Sequence, residues 1–363
     1  LCDFGGGWSI NTNGAIQTVV PKNPKLKAVG AEMKAVFAKG VKDESVEGLV
    51  DLLNSPDKRL RQLAQFELVN RGELATLNAV AADAAKPVAT RLHGVWGLDQ
   101  LGRRGSDVQA ILVSLGQDPD AEIRANAARA LGSIRYASSL ETLLALLADE
   151  SPRVRSLAAV AIGRVTEPGK GDVRTKNALY EAARRNGAGA VDPVLRHAVL
   201  TALDRVGTIQ AAVMCLGSDS REERLTALLY LRRHENRNLA AFLDDPDPLI
   251  RNEAIRAIYD TAALDGPAGD AVAALAKNAA ALSPTIQQRI VAANYRRGGR
   301  DNATNLIAMV GDPTLEASTR AAALHALRLW EKQIVTDPVL GHYRPLPSAE
   351  RSLAELGKAI DAD

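Results

Sequence analysis

The chain has 363 residues, of which 46% are hydrophobic and only 4% aromatic, and its 45 Lys and Arg residues nearly balance its 43 Asp and Glu residues. A formal charge of +2 gives no strong field that would attract nucleic acid or an anionic membrane, and no apolar run reaches the roughly 18–20 residues that a membrane-spanning helix needs. Two cysteines, Cys2 and Cys215, are too few for a disulfide framework or a cysteine metal cluster.

The first 24 residues differ from the rest of the chain. Residues 3–14 are rich in glycine and turn-forming side chains, and the alternation over Ala15–Val19 predicts one short β-strand. Because a single strand is unstable alone, we expect it to be the end of a sheet in an upstream domain. The chain begins at Leu1 rather than at methionine, so we interpret it as a fragment of a longer protein. A first helix is predicted at Lys27–Lys39.

One pattern then recurs nine times: an arginine, a small residue three positions later and, in every unit but one, Leu or Ile seven positions later. Offsets of 3 and 7 lie on one face of a helix, so each unit carries a buried stripe with a small residue where another helix approaches. Such a helix every 27 to 41 residues is typical of a helical solenoid. The arginines are Arg61, Arg91, Arg124, Arg155, Arg196, Arg224, Arg251, Arg289 and Arg320.

The residue four positions before each arginine predicts where its helix begins. It is Asp, Ser or Thr in seven units, and these side chains accept hydrogen bonds from the unpaired amides of a first helical turn. Proline follows the cap in three units, at the helical position that tolerates it best. The predicted caps are Asp57, Asp120, Ser151, Asp192, Ser220, Asp247 and Thr285, with Pro87 and Glu316 as departures.

A preceding helix completes each unit. The predicted first helices are Val46–Leu53, Leu74–Ala84, Val108–Leu115, Leu140–Leu147, Lys176–Arg185, Ile209–Leu216, Asn238–Leu243, Asp270–Ala280 and Ala303–Val310. A proline-containing segment, residues 333–348 (the strap), and a last helix at Ala349–Ile360 follow. The fold class is therefore all-α: a right-handed α-α superhelix of about nine helix pairs over residues 25–332, preceded by segment 1–24 and followed by segment 333–363.

The repeat arginines have two interpretations. Their position beside Asp or Ser caps favours an internal ladder, in which each guanidinium binds carboxylates or helix-end carbonyls of a neighbouring unit. The alternative is a row of binding side chains on the surface. Arginine pairs such as Arg296-Arg297 fall near helix C-termini, where we expect solvated cations.

Few other residues indicate chemistry. No pair among the five histidines has metal-ligand spacing. His93 and His197 are interpreted as hydrogen-bonded packing residues, with contact to another domain as the alternative, and Trp96 is predicted to pack in the core or between repeats. Cys215 lies in an apolar run and is interpreted as a core residue. No nucleophile motif, phosphate loop or dinucleotide fingerprint is present in the sequence.

The strap is too rich in proline to continue the helices. We predict that it packs back over the last repeats, near Trp330 and Ala293–Arg296, with Tyr343 and Leu346 as its large anchoring groups. A loose linker is the alternative.

Several runs resemble a known family. They are Ser-Pro-Asp-Lys-Arg-Leu-Arg-Gln-Leu-Ala-Gln-Phe-Glu-Leu (55–68), Arg-Leu-His-Gly-Val-Trp-Gly-Leu (91–98), Leu-Arg-His-Ala-Val-Leu-Thr-Ala-Leu (195–203), Glu-Ala-Ile-Arg-Ala-Ile-Tyr-Asp (253–260), Ala-Asn-Tyr-Arg (293–296) and Gly-His-Tyr-Arg-Pro-Leu (341–346). These resemble the HEAT repeats of membrane-bound dehydrogenases typical of planctomycetes and verrucomicrobia. In that family a quinoprotein sugar-dehydrogenase-like β-propeller precedes the repeats and a c-type cytochrome often follows.

The resemblance implies a periplasmic or extracytoplasmic location, and it implies propeller and cytochrome domains as intramolecular partners. Asp3–Val19 is similar to a last propeller strand. The chain has no Cys-x-x-Cys-His motif, so it is expected to hold no cofactor itself, and haem c or pyrroloquinoline quinone would belong to flanking domains.

The first hypothesis for function is therefore a noncatalytic HEAT-repeat scaffold of a multidomain redox protein. A stand-alone protein-interaction module is the second, and a HEAT-like DNA-binding or lyase protein the third. DNA binding would require a basic stripe, which the near-neutral charge disfavours. The candidate interaction or inter-repeat residues are Arg61, Arg91, His93, Trp96, Arg124, Arg155, His197, Arg251, Arg256, Asn294, Tyr295, Arg296, His342, Tyr343 and Arg344.

Overall fold

The computed structural model describes residues 2–4, 14–16, 22–261, 265–332, 334–347, 351–352 and 357. The chain divides into two compact units, Leu1–Val165 and Thr166–Asp363. Within the described residues both units consist of helix pairs, so the prediction of an all-α repeat fold is confirmed. The predicted limits at residues 24/25 and 332/333 stay predictions.

Unit 1 begins with a small antiparallel ladder. Strand β1 (Cys2–Phe4) pairs with β2 (Gly14–Ile16), with Asp3 opposite Ala15. The sequence predicted one strand, starting at Ala15, with no partner in this chain. The prediction of no partner is wrong, because residues 2–4 form the second strand. Residues 17–19 of the predicted strand lie outside the described residues.

Among its described residues, unit 1 continues with nine α-helices: α1 (Pro24–Lys39), α2 (Val46–Leu53), α3 (Lys58–Arg71), α4 (Leu74–Ala82), α5 (Val88–Arg103), α6 (Gln109–Leu115), α7 (Ala121–Ser133), α8 (Leu140–Leu146) and α9 (Pro152–Val165). The four arginine-bearing helices α3, α5, α7 and α9 pack side by side in that order, and each also packs on the helix before it. A 3₁₀ turn at Ala137–Ser139 precedes α8.

Unit 2 contains α10 (Val173–Asn186), α11 (Pro193–Val206), α12 (Ile209–Met214), α13 (Arg221–Arg233), α14 (Pro248–Asp260), α15 (Pro267–Ala274), α16 (Pro284–Arg297), α17 (Arg300–Gly311) and α18 (Ala317–Arg328). Its 3₁₀ segments are Cys215–Gly217, Arg237–Asp244 and Leu275–Ala281. The arginine-bearing helices α11, α13, α14, α16 and α18 again pack on one another in order.

Most predicted boundaries lie within three residues of the observed ones, and the differences have local causes. The helix predicted at Asn238–Leu243 is a 3₁₀ helix, Arg237–Asp244, and the helix predicted at Asp270–Ala280 ends at Ala274 and continues as 3₁₀. Thr285 is not an N-cap: Pro284 occupies the first helical position of α16, so the cap is Ser283. Of the last predicted helix, Arg351 and Ser352 are not helical, Gly357 is, and the other residues lie outside the described part.

The small residue three positions after each arginine has the predicted packing role where α5 meets α4. A Cβ atom on Gly94 would lie 2.8 Å from both Ala81 N and Leu77 O. These are backbone atoms that cannot rotate away, so only glycine fits this close helix contact.

The repeat arginines form the internal ladder through a loop carboxylate. Asp149, in the loop before α9, receives Arg124 Nε at 2.7 Å and Nη2 at 3.0 Å from the preceding repeat. Arg155 of its own repeat donates to Asp149 O at 2.8 Å, and Asp149 Oδ1 accepts from Ser151 N. Burial alone raises the pKa of the Asp149 carboxyl, but the bonds from Arg124 and Ser151 outweigh it and hold the pKa below its usual range.

The same arrangement recurs at two further loops. Asp118 binds Arg91 by its carboxylate and Arg124 by its carbonyl, and Asp245 binds Arg224 by its carboxylate and Arg251 by its carbonyl. These aspartates stand two residues before the helix cap, a position the sequence analysis did not single out. Each loop is thereby clamped by the arginines of two successive repeats.

A candidate interaction groove on the second helices of unit 1

One face of α3, α5, α7 and α9 lines an open groove with a volume of about 700 Å³. The lining side chains on each helix are three or four positions apart, as in Leu92, Trp96, Gln100 and Arg103 of α5, so each helix presents a single face. A smaller depression beside it shares Phe66, Gln100 and Arg103 and adds Arg104. The groove therefore crosses four consecutive repeats.

Trp96 forms part of the floor of the groove and is held from two sides. Its Nε1 donates to Asn126 Oδ1 at 2.8 Å on the next second helix, and Asn126 Nδ2 donates to Glu122 O at 2.9 Å. The His93 ring meets the Trp96 ring edge-on with centroids 4.9 Å apart. The predicted inter-repeat packing of Trp96 is thus observed, and its half-buried ring faces the groove.

His93 is the packing histidine that the sequence predicted. It is 5% exposed and its Nδ1 lies 2.6 Å from Gln65 Oε1 on the preceding second helix. An amide oxygen only accepts, so Nδ1 carries the proton and Nε2 is unprotonated in the neutral ring. Burial, followed by the nearby Arg61 charge, lowers the pKa of His93 from 6.5 to about 4. The ring is therefore neutral at physiological pH.

Cationic side chains dominate the polar part of the lining. The only lining carboxylate among the described residues is Asp99, which is 4% exposed and lies 3.5 Å from Arg103 Nη2. Six cations line the groove and the depression beside it: Lys58, Arg61, Arg103, Arg104, Arg129 and Arg153.

The five repeat arginines named as candidates donate within the units rather than projecting freely. Arg61 donates to Ser55 O at 2.7 Å, and Arg251 to Asp245 O at 2.6 Å. Arg91 also donates from Nε to Ala81 O at 2.9 Å, while Arg124 and Arg155 hold the Asp149 loop. These bonds are internal and do not form a surface row. Only Arg91 and Arg124 of the five also reach a neighbouring unit, as the ladder interpretation predicted; the other three bind the loop of their own unit.

Two other candidates, His197 and Arg256, are exposed, and a role of either in interaction stays a prediction. The position directly after Arg196 faces solvent, so the interpretation of His197 as a hydrogen-bonded packing histidine is wrong, while contact with another domain stays a prediction. Arg256 is exposed on α14 and its Nη1 lies 2.7 Å from Glu253 within the same helix. Neither residue lines the unit 1 groove.

Asn294, Tyr295 and Arg296 are buried parts of the unit 2 core. Asn294 donates to Ala273 O and Ile290 O, both at 2.9 Å. Tyr295 donates from its hydroxyl to Leu329 O at 3.0 Å or Lys332 O at 2.8 Å, and burial raises its pKa. Arg296 is 3% exposed, which corrects the expectation of a solvated helix end.

The strap is docked, as predicted. What holds it is a buried charge cluster, which was not predicted. Arg344, 5% exposed, donates to Tyr259 O at 2.6 Å and to Asp265 Oδ1 at 2.9 Å. Tyr259 donates to Asp337, whose oxygens lie 3.0 and 2.9 Å away, and Arg296 donates to Arg344 O at 3.0 Å. The strap thus contacts α14 and α16 through hydrogen bonds.

The predicted anchors of the strap were the wrong residues. Tyr343 is 76% exposed and His342 is exposed, while Leu346 is only half-buried. An antiparallel bridge pairs Thr336 with Tyr343, and this pairing directs the Arg344 side chain inward and that of Tyr343 outward. The residue that contacts Trp330 is instead Arg351, whose guanidinium lies 5.4 Å from the centroid of the Trp330 ring.

Cys215, which the sequence predicted to be a core residue, lies beside a pocket in unit 2. It is a core residue, as predicted, and burial together with Glu223 raises the pKa of its thiol to about 12. The thiol is therefore protonated and a poor nucleophile at neutral pH.

In the described part of the chain no His, Cys, Asp and Glu side chains form a group suited to a metal ion, and no helix there is long and apolar enough to span a membrane.

The comparisons agree with the repeat architecture. A family model of HEAT repeats matches residues 108–204. The crystal structure of Kap121p superposes with a TM-score of 0.51 at 12% identity over 78% of this chain, which corresponds to 37% of Kap121p. The karyopherin Kap121p bound to the SUMO protease Ulp1p gives 0.50 at 12% identity, over 86% of this chain and 38% of that one. The chain thus has the HEAT-type solenoid fold and spans little more than a third of these structures.

A third structure, human deoxyhypusine hydroxylase in complex with glycerol, is 21% identical over 73% of this chain and 98% of its own, but its TM-score of 0.29 is too low to support any argument. No curated protein matches the chain.

Proposed function

We propose that this chain is a noncatalytic scaffold that holds a polypeptide segment of a partner domain in the groove across α3, α5, α7 and α9. The observation that carries the proposal is the groove itself. It combines a fixed, half-buried Trp96, an exposed Phe66 and cations on one face of four adjacent helices. Aromatic and arginine side chains are the groups most enriched where proteins bind one another.

The partners we propose are the domains that the resemblance implies: a quinoprotein-type propeller and a c-type cytochrome of the same protein, outside the cytoplasm. A stack of helix pairs suits this role because each repeat contacts only its neighbours and offers one continuous binding surface. Kap121p, a karyopherin with the same type of fold, has been seen bound to the protease Ulp1p. In this proposal haem c or pyrroloquinoline quinone belongs to the partner domains and not to this chain.

Hydrogen exchange tests the proposal. The chain is mixed with separately produced propeller and cytochrome domains of a resembling dehydrogenase, and amide protection is compared with that of the free chain. We expect added protection in α3, α5, α7 and α9 on binding one of them, and a loss of that protection in Phe66→Ala. Protection confined to α10–α18, or binding unaffected by Phe66→Ala, would contradict a role for the groove. Binding of neither domain would contradict the redox-scaffold assignment.

A further inference from the structure

The groove lining is far more basic than the chain that contains it. The whole chain has 45 cationic and 43 anionic residues, whereas six cations and one carboxylate line the groove and the depression beside it. That carboxylate, Asp99, is 4% exposed and faces Arg103, so it presents almost no charge to a ligand. Glu122, a half-buried acid on α7, pairs with Arg153 of the lining at 3.0 Å.

Four of the six cations, Lys58, Arg61, Arg104 and Arg129, have no ionic partner among the described residues. Arg61 donates to the carbonyls of Ser55 and Pro56. Lys58 is exposed at the start of α3, and Arg129 is half-buried on α7. Arg104 donates only to Val69 O and Asn70 Oδ1, at 3.3 and 3.4 Å, so its charge is also uncompensated. Charges of one sign along a concave surface reinforce each other, because the low-dielectric walls focus their field.

Apolar groups lie between these cations. Phe66, 42% exposed, stands on α3, while the half-buried Leu92 and Trp96 stand on α5 and Leu157 on α9. Trp96 is already fixed by Asn126 and His93, so binding against it costs little side-chain entropy. The occupant must therefore carry large apolar side chains as well as negative charge.

The dimensions indicate an extended segment. Helices packed side by side lie about 8–10 Å apart, so the axes of the outer two of four helices are roughly 24–30 Å apart. Extended chain advances about 3.3 Å per residue, which gives a segment of roughly seven to nine residues.

We infer, on the basis of the proposed function, that the groove selects an acidic segment of a partner protein, about nine residues long and extended, with Leu or an aromatic residue among its Asp and Glu residues. Its carboxylates meet Lys58, Arg104 and Arg129, and its apolar side chains pack on Phe66 and Trp96. The field of the groove attracts the segment, and the apolar contacts hold it.

Fluorescence anisotropy with the full chain tests this inference. The probe is a labelled peptide of about nine residues with alternating Glu and Leu, compared with a peptide carrying Lys at each Glu position and one carrying Ala at each Leu position. We expect the acidic, Leu-containing peptide to bind at least about tenfold more tightly than either comparison peptide and to weaken as salt rises.

Variants locate the site. Lys58→Glu combined with Arg129→Glu should weaken binding of the acidic peptide by about tenfold or more. The matched control is Lys277→Glu, an exposed lysine of unit 2 without an ion pair among the described residues, which should leave affinity within about twofold. A glutamate at position 58 favours the N-terminus of α3, and an unchanged circular dichroism spectrum of the double variant excludes unfolding as the cause of lost binding.

The outcomes separate the two proposals. Equal binding of the Glu and Lys peptides, with protection of α3, α5, α7 and α9 by both, would overturn the acidic selection and leave the groove as a peptide site. Absence of groove protection by any peptide would count against the groove in the proposed function as well. Tighter binding of a single-stranded oligonucleotide of similar length at the same helices would also overturn the inference, because phosphates and not a protein segment would then be the preferred ligand.

Discussion

Replacing Arg124 by alanine tests the clamp between successive repeats. Arg124 donates Nη1 to Asp118 O and Pro119 O, at 2.8 and 2.9 Å, and adds a two-pronged bond to the Asp149 carboxylate. Arg155 makes the equivalent Nη1 bonds, at 2.8 and 2.9 Å, to Asp149 O and Glu150 O but has no carboxylate bond among the described residues. The two arginines therefore differ mainly in the carboxylate contact.

The expected loss of stability in Arg124→Ala follows from the burial of the Arg124–Asp149 pair. The side chains of Arg124 and Asp149 are 11% and 10% exposed, so the substitution leaves a mostly buried carboxylate that retains its bond from Ser151 N. Removing one partner of a fully buried pair costs about 3–5 kcal/mol, and the remaining bond and partial exposure reduce this to roughly 2–3 kcal/mol. For Arg155→Ala, the loss of bonds to loop carbonyls predicts about 1 kcal/mol.

Urea unfolding followed by circular dichroism at 222 nm measures both free energies. Asp149→Asn, alone and combined with Arg124→Ala, completes a double-mutant cycle that isolates the pair. An Arg155→Ala variant as unstable as Arg124→Ala, or a coupling energy indistinguishable from zero, would refute the role assigned to the carboxylate.

Three further predictions use the same structure. The pKa of His93 is about 4 in the folded chain against an ordinary 6.5, so the free energy of unfolding should fall by up to roughly 3 kcal/mol as the pH drops from 6.5 to 4. Urea titrations at several pH values should show a smaller fall in His93→Gln, and an equal dependence of stability on pH in the two proteins would contradict this. Gly94→Ala forces a Cβ against backbone atoms and should destabilise by about 1–3 kcal/mol, whereas Gly30→Ala, with nothing within 4 Å, should be neutral or stabilising; equal melting temperatures would argue against the close contact. Asp337→Ala removes the acceptor of Tyr259 and should release the strap to rapid thermolysin cleavage, whereas Tyr343→Ala, at an exposed position, should not; resistance of both variants would mean that the charge cluster does not hold the strap.

The sequence was sufficient for the repeat fold because helix period and cap chemistry are local properties. A stripe at offsets 3 and 7 and an Asp cap four residues before the arginine each act within one helix. An arginine ladder was expected, but its carboxylates, Asp118, Asp149 and Asp245, were not identified, because each binds an arginine 21 to 27 residues earlier in the chain. Their common position six residues before the next repeat arginine is a signal that could have identified them.

The strap shows where side-chain size was a poor guide. Tyr343 was expected to anchor it because large apolar groups usually supply burial, but the pairing of Thr336 with Tyr343 turns that ring outward. Asp337 is then buried, and although burial raises its pKa, the amides of Leu340 and Val339 and the Tyr259 hydroxyl lower it below the usual range. Which face of an irregular segment points inward depends on its pairing, and the sequence pattern does not specify that pairing.

The groove depends on residues that do not repeat, and this separates structure from binding in the solenoid. An arginine that recurs in all nine units meets a need that the units share. Several of these arginines hold the loop before their own helix through its carbonyls, and several bind a carboxylate of a neighbouring repeat. A binding site needs groups that differ from one repeat to the next, since a partner has only one sequence to place along the helices. Lys58, Trp96 and Arg129 are such groups. Each lies on a second helix and faces the groove, and the residue type at the same offset from the repeat arginine varies among the units. Departures from the repeat are therefore the first places to look for the residues that recognise a partner.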